Sequence, residues 1–180
     1  QSIPKVDAYA KISGEAVYVS DIKKEGMLYA KTVRSSIVKG KITHIDVPLL
    51  PEGYTIVTRA DVSHMNVVKI IFDDMPYYAT DEINHLNEPI LLVVGEDKEI
   101  IDKITREIKI TYQEEKPVFD DSQSVISYAF NKGSIKKAFK NAKDIIEMTY
   151  ETGLQEQAYI EPQGFIAYEE GEKIVLIGSI

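Results

Sequence analysis

Hydrophobic and polar positions alternate through the first third of the chain. In Met27 to Arg34, Leu28, Ala30 and Thr32 fall on one face and Tyr29, Lys31 and Val33 on the other, the period of a strand. Glu15 to Asp21, Lys41 to Val47, Tyr54 to Thr58 and Val67 to Phe72 predict four further short strands. Pro48 and Pro51-Glu52-Gly53 mark a turn, because proline cannot donate to a ladder and glycine tolerates positive φ. From Asp73 to Glu88 the periodicity fails. A polar loop is expected there, around Asp73-Asp74-Met75-Pro76 and Tyr77-Tyr78.

The pattern then sharpens. Ile90-Leu91-Leu92-Val93-Val94 is a continuous apolar run, the signature of a strand covered on both faces. Glu96 and Asp97 put negative charge where a helix N-terminus favours it. Ile100, Ile101, Ile104 and Ile108 lie within an arc of ~100° on a helix, with Glu99–Lys103 and Asp102–Arg106 at i,i+4 outside the stripe. Ile108, Ile110 and Tyr112 then alternate with Lys109 and Thr111. Residues 90–112 therefore predict a strand–helix–strand βαβ unit with a right-handed crossover.

Beyond it, Glu114 to Ser124 is polar and carries Pro117, so an extended connector is expected. Ser134 is placed to cap a short helix with Ile135, Ala138, Phe139 and Ala142 on one face. Asp144 to Glu151 reads as a strand with Ile146, Met148 and Tyr150 together. Gly164 to Tyr168 and Lys173 to Ile177 read as a pair across Glu169-Glu170-Gly171-Glu172. The chain ends at Ile180 directly after an apolar strand, and the expectation is a cut inside a packing pattern.

Composition narrows the function classes. The chain has 180 residues, 44% hydrophobic and 28% charged, with a net charge of −8. It has the balance of a globular protein. No apolar run approaches the ~20 residues that span a bilayer, and Gln1 to Lys11 lacks the apolar stretch of a signal peptide. Negative charge without a Lys/Arg cluster argues against a nucleic-acid surface. Cysteine is absent. That removes disulfides, thiolate nucleophiles, cysteine zinc sites and any iron–sulfur cluster ligated by this chain, and it suits a reducing cytoplasm.

No constellation of residues assembles an active site. His44, His64 and His85 have no ligand partner at i+2 or i+4. The carboxylate pairs Asp73-Asp74, Glu114-Glu115, Asp120-Asp121 and Glu169-Glu170 are expected in solvated loops, whereas acid–base catalysis needs a desolvated carboxyl. The glycines never come closer than seven positions, which excludes a P-loop and a dinucleotide fingerprint, and no serine sits in a Gly-x-Ser-x-Gly elbow. Expected catalytic, cofactor-binding and metal-binding residues are therefore none.

Longer stretches do match a family. The run Pro4-Lys5-Val6-Asp7-Ala8-Tyr9-Ala10-Lys11-Ile12-Ser13-Gly14-Glu15-Ala16-Val17-Tyr18-Val19-Ser20-Asp21 resembles the opening of the molybdenum-binding large subunit of the xanthine dehydrogenase and aldehyde oxidase family. Gly26-Met27-Leu28-Tyr29-Ala30 with Val33-Arg34-Ser35-Ser36, Lys41-Ile42-Thr43-His44-Ile45-Asp46, and Pro51-Glu52-Gly53 leading to Thr58-Arg59-Ala60-Asp61-Val62 resemble its next segments. So do Glu88-Pro89-Ile90-Leu91-Leu92-Val93-Val94 and Ile108-Lys109-Ile110-Thr111-Tyr112. In the tail, Gly133, Ala138-Phe139, Ala142-Lys143-Asp144 and Gln155-Glu156-Gln157-Ala158-Tyr159-Ile160-Glu161-Pro162 are similar to later family motifs, in the same order. Two positions depart: Gln157 stands where many members have histidine, and Asn87 where glycine is common.

The resemblance implies an α/β (mixed α+β) fold: an α/β hammerhead domain over residues 1–122, followed by a truncated start of the molybdopterin-binding domain over 123–180. It implies a cytoplasmic oxidoreductase that hydroxylates a purine, an N-heterocycle or an aldehyde with water-derived oxygen, leaning towards xanthine dehydrogenase. The molybdenum–molybdopterin cofactor belongs to the full-length enzyme, and 2Fe-2S clusters and FAD to other domains or subunits, which become its partners. The family's cofactor-contacting glutamine, Gly-rich loop and catalytic glutamate would all follow Ile180. The chain alone is thus expected to act as scaffold, bind no molybdenum cofactor, and self-associate through residues 144–180. The competing reading is a freestanding hammerhead-type binding module without redox work; a small hydrolase has no support in the spacing.

Overall fold

The computed structural model describes residues 3–62, 66–70, 72–120, 126–159, 161 and 163–178. In chain order the elements are α1 (Ala8–Ser13), β1 (Tyr29–Arg34), β2 (Gly40–Asp46), β3 (Thr55–Val57), β4 (Glu82–Ile83), β5 (Pro89–Gly95), α2 (Lys98–Glu107), β6 (Lys109–Glu114), α3 (Ile135–Asn141), β7 (Phe165–Glu170) and β8 (Lys173–Gly178). One-turn 3-10 helices lie at Val19–Asp21 and Arg59–Asp61. The chain divides into two compact units, Lys24–Asp120 and Gln1–Lys23 with Asp121–Ile180. Among the described residues no helix is long and apolar enough to cross a membrane.

The Lys24–Asp120 unit holds two antiparallel three-stranded sheets, ordered β1-β5-β3 and β4-β2-β6. The apolar run becomes β5, the centre of the first sheet, with Ile90, Leu91 and Val93 buried. Pro89 opens it, where a missing N–H costs no internal ladder bond. Asp97 caps α2, its Oδ1 accepting from the N–H groups of Glu99 (2.7 Å) and Ile100 (3.1 Å). α2 packs on β1 and β5 through Ile101 and Ile104. Outside that face, Lys31 Nζ meets Asp102 Oδ1 at 2.7 Å and Lys98 sits 4.5 Å from the Tyr29 ring centroid. Ile37, Ala79, Ile83, Ile90, Leu91, Val93, Ile101 and Ile104 form one core.

The strand–helix–strand order is present, but it is not a βαβ crossover. β5 lies between β1 and β3, so both its ladder edges are taken and no parallel partner can add to it. β6 instead pairs antiparallel with β2, and α2 carries the chain from one sheet to the other. The handedness rule for crossovers within one sheet does not apply. The β2–β6 ladder has a bulge at Thr43, whose hydroxyl donates to the Thr111 carbonyl at 3.0 Å. Gly40 begins β2 at φ 153°, and a Cβ there would collide with the Gln113 carbonyl oxygen. Only glycine fits.

Three predicted strands do not form. Glu15 to Asp21 becomes a turn, because Asp21 Oδ2 accepts from the Tyr18 N–H at 2.9 Å and closes a 3-10 helix. Among the described residues of Val67 to Phe72 there is a single bridge, Val68 to Met75, beside the Asn66 clamp. The Asn66 amide donates to the Tyr78 carbonyl (2.5 Å) and accepts from the Tyr78 N–H (2.9 Å). Ile71 and His64 lie outside the described residues. Asp144 to Glu151 is irregular: alternation makes a strand only where a partner completes the ladder, and none of the described residues pairs with it.

In the other unit, Ser134 caps α3 as expected, its Oγ accepting from the Lys137 N–H at 3.4 Å. β7 and β8 form the expected hairpin around Gly171-Glu172, with Gly171 at φ 64°. Ile166–Ile177 and Tyr168–Val175 pair on one half-covered face; Phe165, Leu176 and Ile174 stand exposed on the other. No described side chain of this unit is buried.

Candidate functional site

Among the described residues two polar ones are buried, Ser35 and Glu88, and they form one knot. β1 ends at Arg34 and β5 begins at Pro89, so the strands' pairing brings the two residues together. The Ser35 N–H donates to the Glu88 carbonyl at 2.9 Å, and the Glu88 N–H donates to Ser35 Oγ at 3.1 Å. Ser35 Oγ lies 3.0 Å from the His85 carbonyl and 3.2 Å from that of Ile37. The Glu88 carboxylate folds back over its own turn, Oε2 accepting from the Asn84 N–H at 2.6 Å. Asn87 holds the turn at φ 62°, the left-handed region that asparagine tolerates better than most residues. Arg34 Nη1 donates to the Asn87 carbonyl at 3.0 Å.

This arrangement satisfies every buried side-chain polar atom among the described residues. The Glu88 carboxylate therefore acts as a backbone cap, and the knot is a fastening of turn to strand. It also explains the Asn87 departure: a position that favours glycine for its positive φ can be filled by asparagine for the same reason.

A hollow of about 200 Å³ lies in the same unit, lined among others by Ile42, Ile45, Thr58, Arg59 and Asp81. Arg59 Nη2 approaches Asp81 Oδ1 at 3.4 Å, and Thr58 is tied to Asp61, whose Oδ2 accepts from the Thr58 N–H at 2.7 Å. The wall is chiefly apolar, with its one cation already paired to a carboxylate. Burial pushes the Tyr78 hydroxyl above its ordinary value, with the Asp61 carboxylate adding to the effect.

The described histidines and carboxylates stay apart. His44 sits on β2 opposite Thr111, and His85 is exposed beside the Leu86 carbonyl at 3.0 Å. Of the carboxylate pairs expected in loops, Asp73-Asp74 lies in one, with Lys69 Nζ 3.4 Å from Asp73. Glu169-Glu170 instead ends β7, and Glu114 ends β6. Asp121 lies outside the described residues. Among the described residues no three His, Cys, Asp or Glu side chains converge as metal ligands.

Gln155, Glu156 and Gln157 line a shallow hollow of about 300 Å³ in the other unit. All three are exposed, and Glu156 Oε1 lies 3.4 Å from the Ala158 N–H as its acceptor. A pterin bearing phosphate needs convergent N–H donors and close backbone approach. The described residues here present a carboxylate and two free-standing amides, and they do not fit such a group by themselves. No chemical step is assigned to them.

The fold and these motifs define a class. Residues 13–116 match the family model of the aldehyde oxidase and xanthine dehydrogenase a/b hammerhead domain, and residues 118–180 match that of the molybdopterin cofactor-binding domain. The chain belongs to the aldehyde oxidase and xanthine dehydrogenase family.

Particular relatives agree. The chain is 27% identical over 183 residues to a probable xanthine dehydrogenase subunit of Bacillus subtilis, covering 92% of this chain and 25% of that protein. It is 30% identical over 181 residues to the xanthine dehydrogenase/oxidase of Rattus norvegicus, covering 94% and 14% respectively. The chain thus spans a quarter or less of the curated relatives it matches. The crystal structure of a Cu,Mo-CO dehydrogenase shares the fold with TM-score 0.58 and 24% identity, over 66% of this chain and 16% of that one. The aldehyde oxidoreductase from Desulfovibrio gigas does so with TM-score 0.55 and 21% identity, over 63% and 14%.

The resemblance in the sequence placed the chain in this family correctly. Reading individual residues missed the Ser35–Glu88 knot and the Asn66 clamp. The signals were present: Asn before Glu-Pro marks a turn, and Asn66 stands at a strand-like edge. Only the pairing of β1 with β5 brings Ser35 to Glu88.

Proposed function

We propose that this chain is the scaffold part of a molybdenum hydroxylase large subunit, an oxidoreductase of the xanthine dehydrogenase type acting on a purine, an N-heterocycle or an aldehyde. The observation that carries this reading is the succession of two family models along one chain, hammerhead at 13–116 and cofactor-binding domain at 118–180. When bound, the molybdenum cofactor supplies transfer of a water-derived oxygen, and iron–sulfur and FAD domains or subunits take the electrons. Residues here fasten turns and sheets. The knot of Ser35 and Glu88 is one such fastening.

We further propose a hammerhead domain ending near residue 122 and a cofactor-domain start from 123. That Gln1–Lys23 and Asp121–Ile180 form one compact unit supports counting the first 23 residues with the second part rather than with a hammerhead domain over 1–122. A cytoplasmic location fits the absence of cysteine from the chain. Self-association of the isolated chain through residues 144–180 fits exposed Ile146, Phe165, Ile174 and Leu176.

The test is metal analysis and dye reduction with xanthine and simple aldehydes. The whole protein that contains this chain is compared with residues 1–180 alone. Molybdenum and turnover are expected in the whole protein and neither in the isolated chain. A whole protein without molybdenum or turnover sinks the enzyme reading in favour of a binding module. Turnover by the isolated chain would show that the catalytic groups are misplaced.

A further inference from the structure

The N-terminal segment and the corner before β7 meet across 142 positions of sequence. The Val19 N–H donates to Glu161 Oε1 at 2.9 Å, partly shielded from solvent. A Cβ added at Gly164 would lie 3.6 Å from Val19 Cγ1, an ordinary packing distance. Lys11, paired with Asp7 at 2.6 Å, also feels the Glu161 carboxylate.

The rest of the segment is ordered within itself. α1 has no buried residue, and Val6, Tyr9, Ile12 and Val17 are exposed. The Ala16 N–H donates to the Ala10 carbonyl at 2.9 Å, and the Asp21 N–H to the Tyr18 carbonyl at 2.9 Å. A segment folded on itself and fastened at one corner is a strap. A carboxylate accepting a backbone N–H is the stronger kind of hydrogen bond, suited to fasten it.

We propose that Glu161 is the latch of this strap, its carboxylate holding the Tyr18–Asp21 turn against Gly164. The strap thereby becomes part of the unit that carries β7 and β8, whose two segments lie on either side of Lys24–Asp120 in the sequence. The latch is a positioning device.

The chain has no cysteine, so a Val19→Cys/Gly164→Cys pair would carry the only two thiols. Mild oxidation should give an intrachain cross-link, because a Cβ at position 164 would lie 3.6 Å from the γ-carbon of residue 19, within a small shift of bonding distance for two thiols. In the otherwise unaltered 180-residue chain, Glu161→Ala should speed amide exchange at Tyr18, Val19 and Asp21 together, by about tenfold to a hundredfold. Exchange at Leu91 and Val93 should stay unchanged. Glu161→Gln keeps an acceptor without the charge and should give a smaller increase at the same three amides. Absence of the cross-link overturns the proposal. So does a change confined to Val19, or no change, since a lost single bond is not a released strap. If Glu161→Ala also deprotects Val93, Glu161→Gln decides instead, and unchanged exchange at the three amides in that variant refutes the latch.

Discussion

Ile104→Ala tests whether α2 supplies the core of the Lys24–Asp120 unit. Ile104 is 4% exposed and packs in the cluster with Ile101, Leu91 and Val93. The substitution removes three carbon groups, each worth ~0.8 kcal/mol of burial, so the transfer loss is about 2.4 kcal/mol. The cavity left between helix and sheet adds to that, giving 2–5 kcal/mol, roughly the measured span for such truncations. Ile100 is the internal control. It lies one position from Ile101 but is 39% exposed at the edge of the stripe. Ile100→Ala should therefore cost about 1 kcal/mol, because less apolar area is lost and solvent fills the gap. Urea denaturation followed by circular dichroism reads both. With a slope of about 1–3 kcal/mol/M, the Ile104 midpoint should fall by roughly 1–3 M and the Ile100 midpoint by a third of that. Ile104→Asp should cost more than either, since it buries a charge with no partner. Equal costs for Ile100→Ala and Ile104→Ala would refute the assignment of the inner face. An Ile104→Ala stability within about 0.5 kcal/mol of the parent would do the same.

Other outcomes follow from the turn and the surface. Asn87→Val should destabilise by about 1–2 kcal/mol because φ is 62°, while Asn87→Gly should be near neutral; urea midpoints decide. Ser35→Ala leaves the Glu88 N–H only its longer bond to the His85 carbonyl at 3.3 Å and should cost about 0.5–1.5 kcal/mol, with faster amide exchange at Glu88. The hydrogen bond from Lys31 holds the Asp102 carboxyl below its ordinary 3.8. A lowered folded value means that the pair stabilises fully above pH 3.8, and that this is lost as pH falls below 3.8 through the folded value. The pair is exposed, so the effect should be small and vanish in high salt, as carboxyl NMR titration of the parent and Lys31→Met can check.

The sequence made local structure legible where one residue pattern had one solution. The run at Ile90–Val94 read as a covered strand, and the negative charge of Glu96 and Asp97 before a narrow isoleucine stripe read as a helix start, with the Asp97 cap itself seen only in the structure. Sheet membership was not legible. Ile108, Ile110 and Tyr112 alternate equally well beside β5 or beside β2, and the choice rests on which ladder edges are free. The same gap explains Asp144 to Glu151, whose alternation predicts a strand but names no partner. At Glu15 to Asp21 the β-rich composition lost to one short bond, from the Tyr18 N–H to the Asp21 carboxylate. Glu88 was hidden for a different reason. A glutamate in a loop is ordinarily solvated, and its burial depends on Ser35, which lies 53 positions earlier.

Burial also separates what the two parts of the chain ask of their surroundings. In the Lys24–Asp120 unit the central strand has both edges paired, and its buried residues meet a helix and a second set of apolar side chains. The apolar run of that strand is answered within the same unit. The β7–β8 hairpin is patterned otherwise. Ile166, Tyr168, Val175 and Ile177 line one face and Phe165, Leu176 and Ile174 the other, so neither face is the polar, solvated side that an antiparallel pair normally shows. A two-stranded hairpin is at best marginal in water, and apolar residues on both faces specify a sheet layered on each side. The described residues provide no such layers. That pattern supports the reading of residues 123–180 as the start of a larger domain, and it gives weight to the latch at Glu161 as a long-range bond that orders this part of the chain.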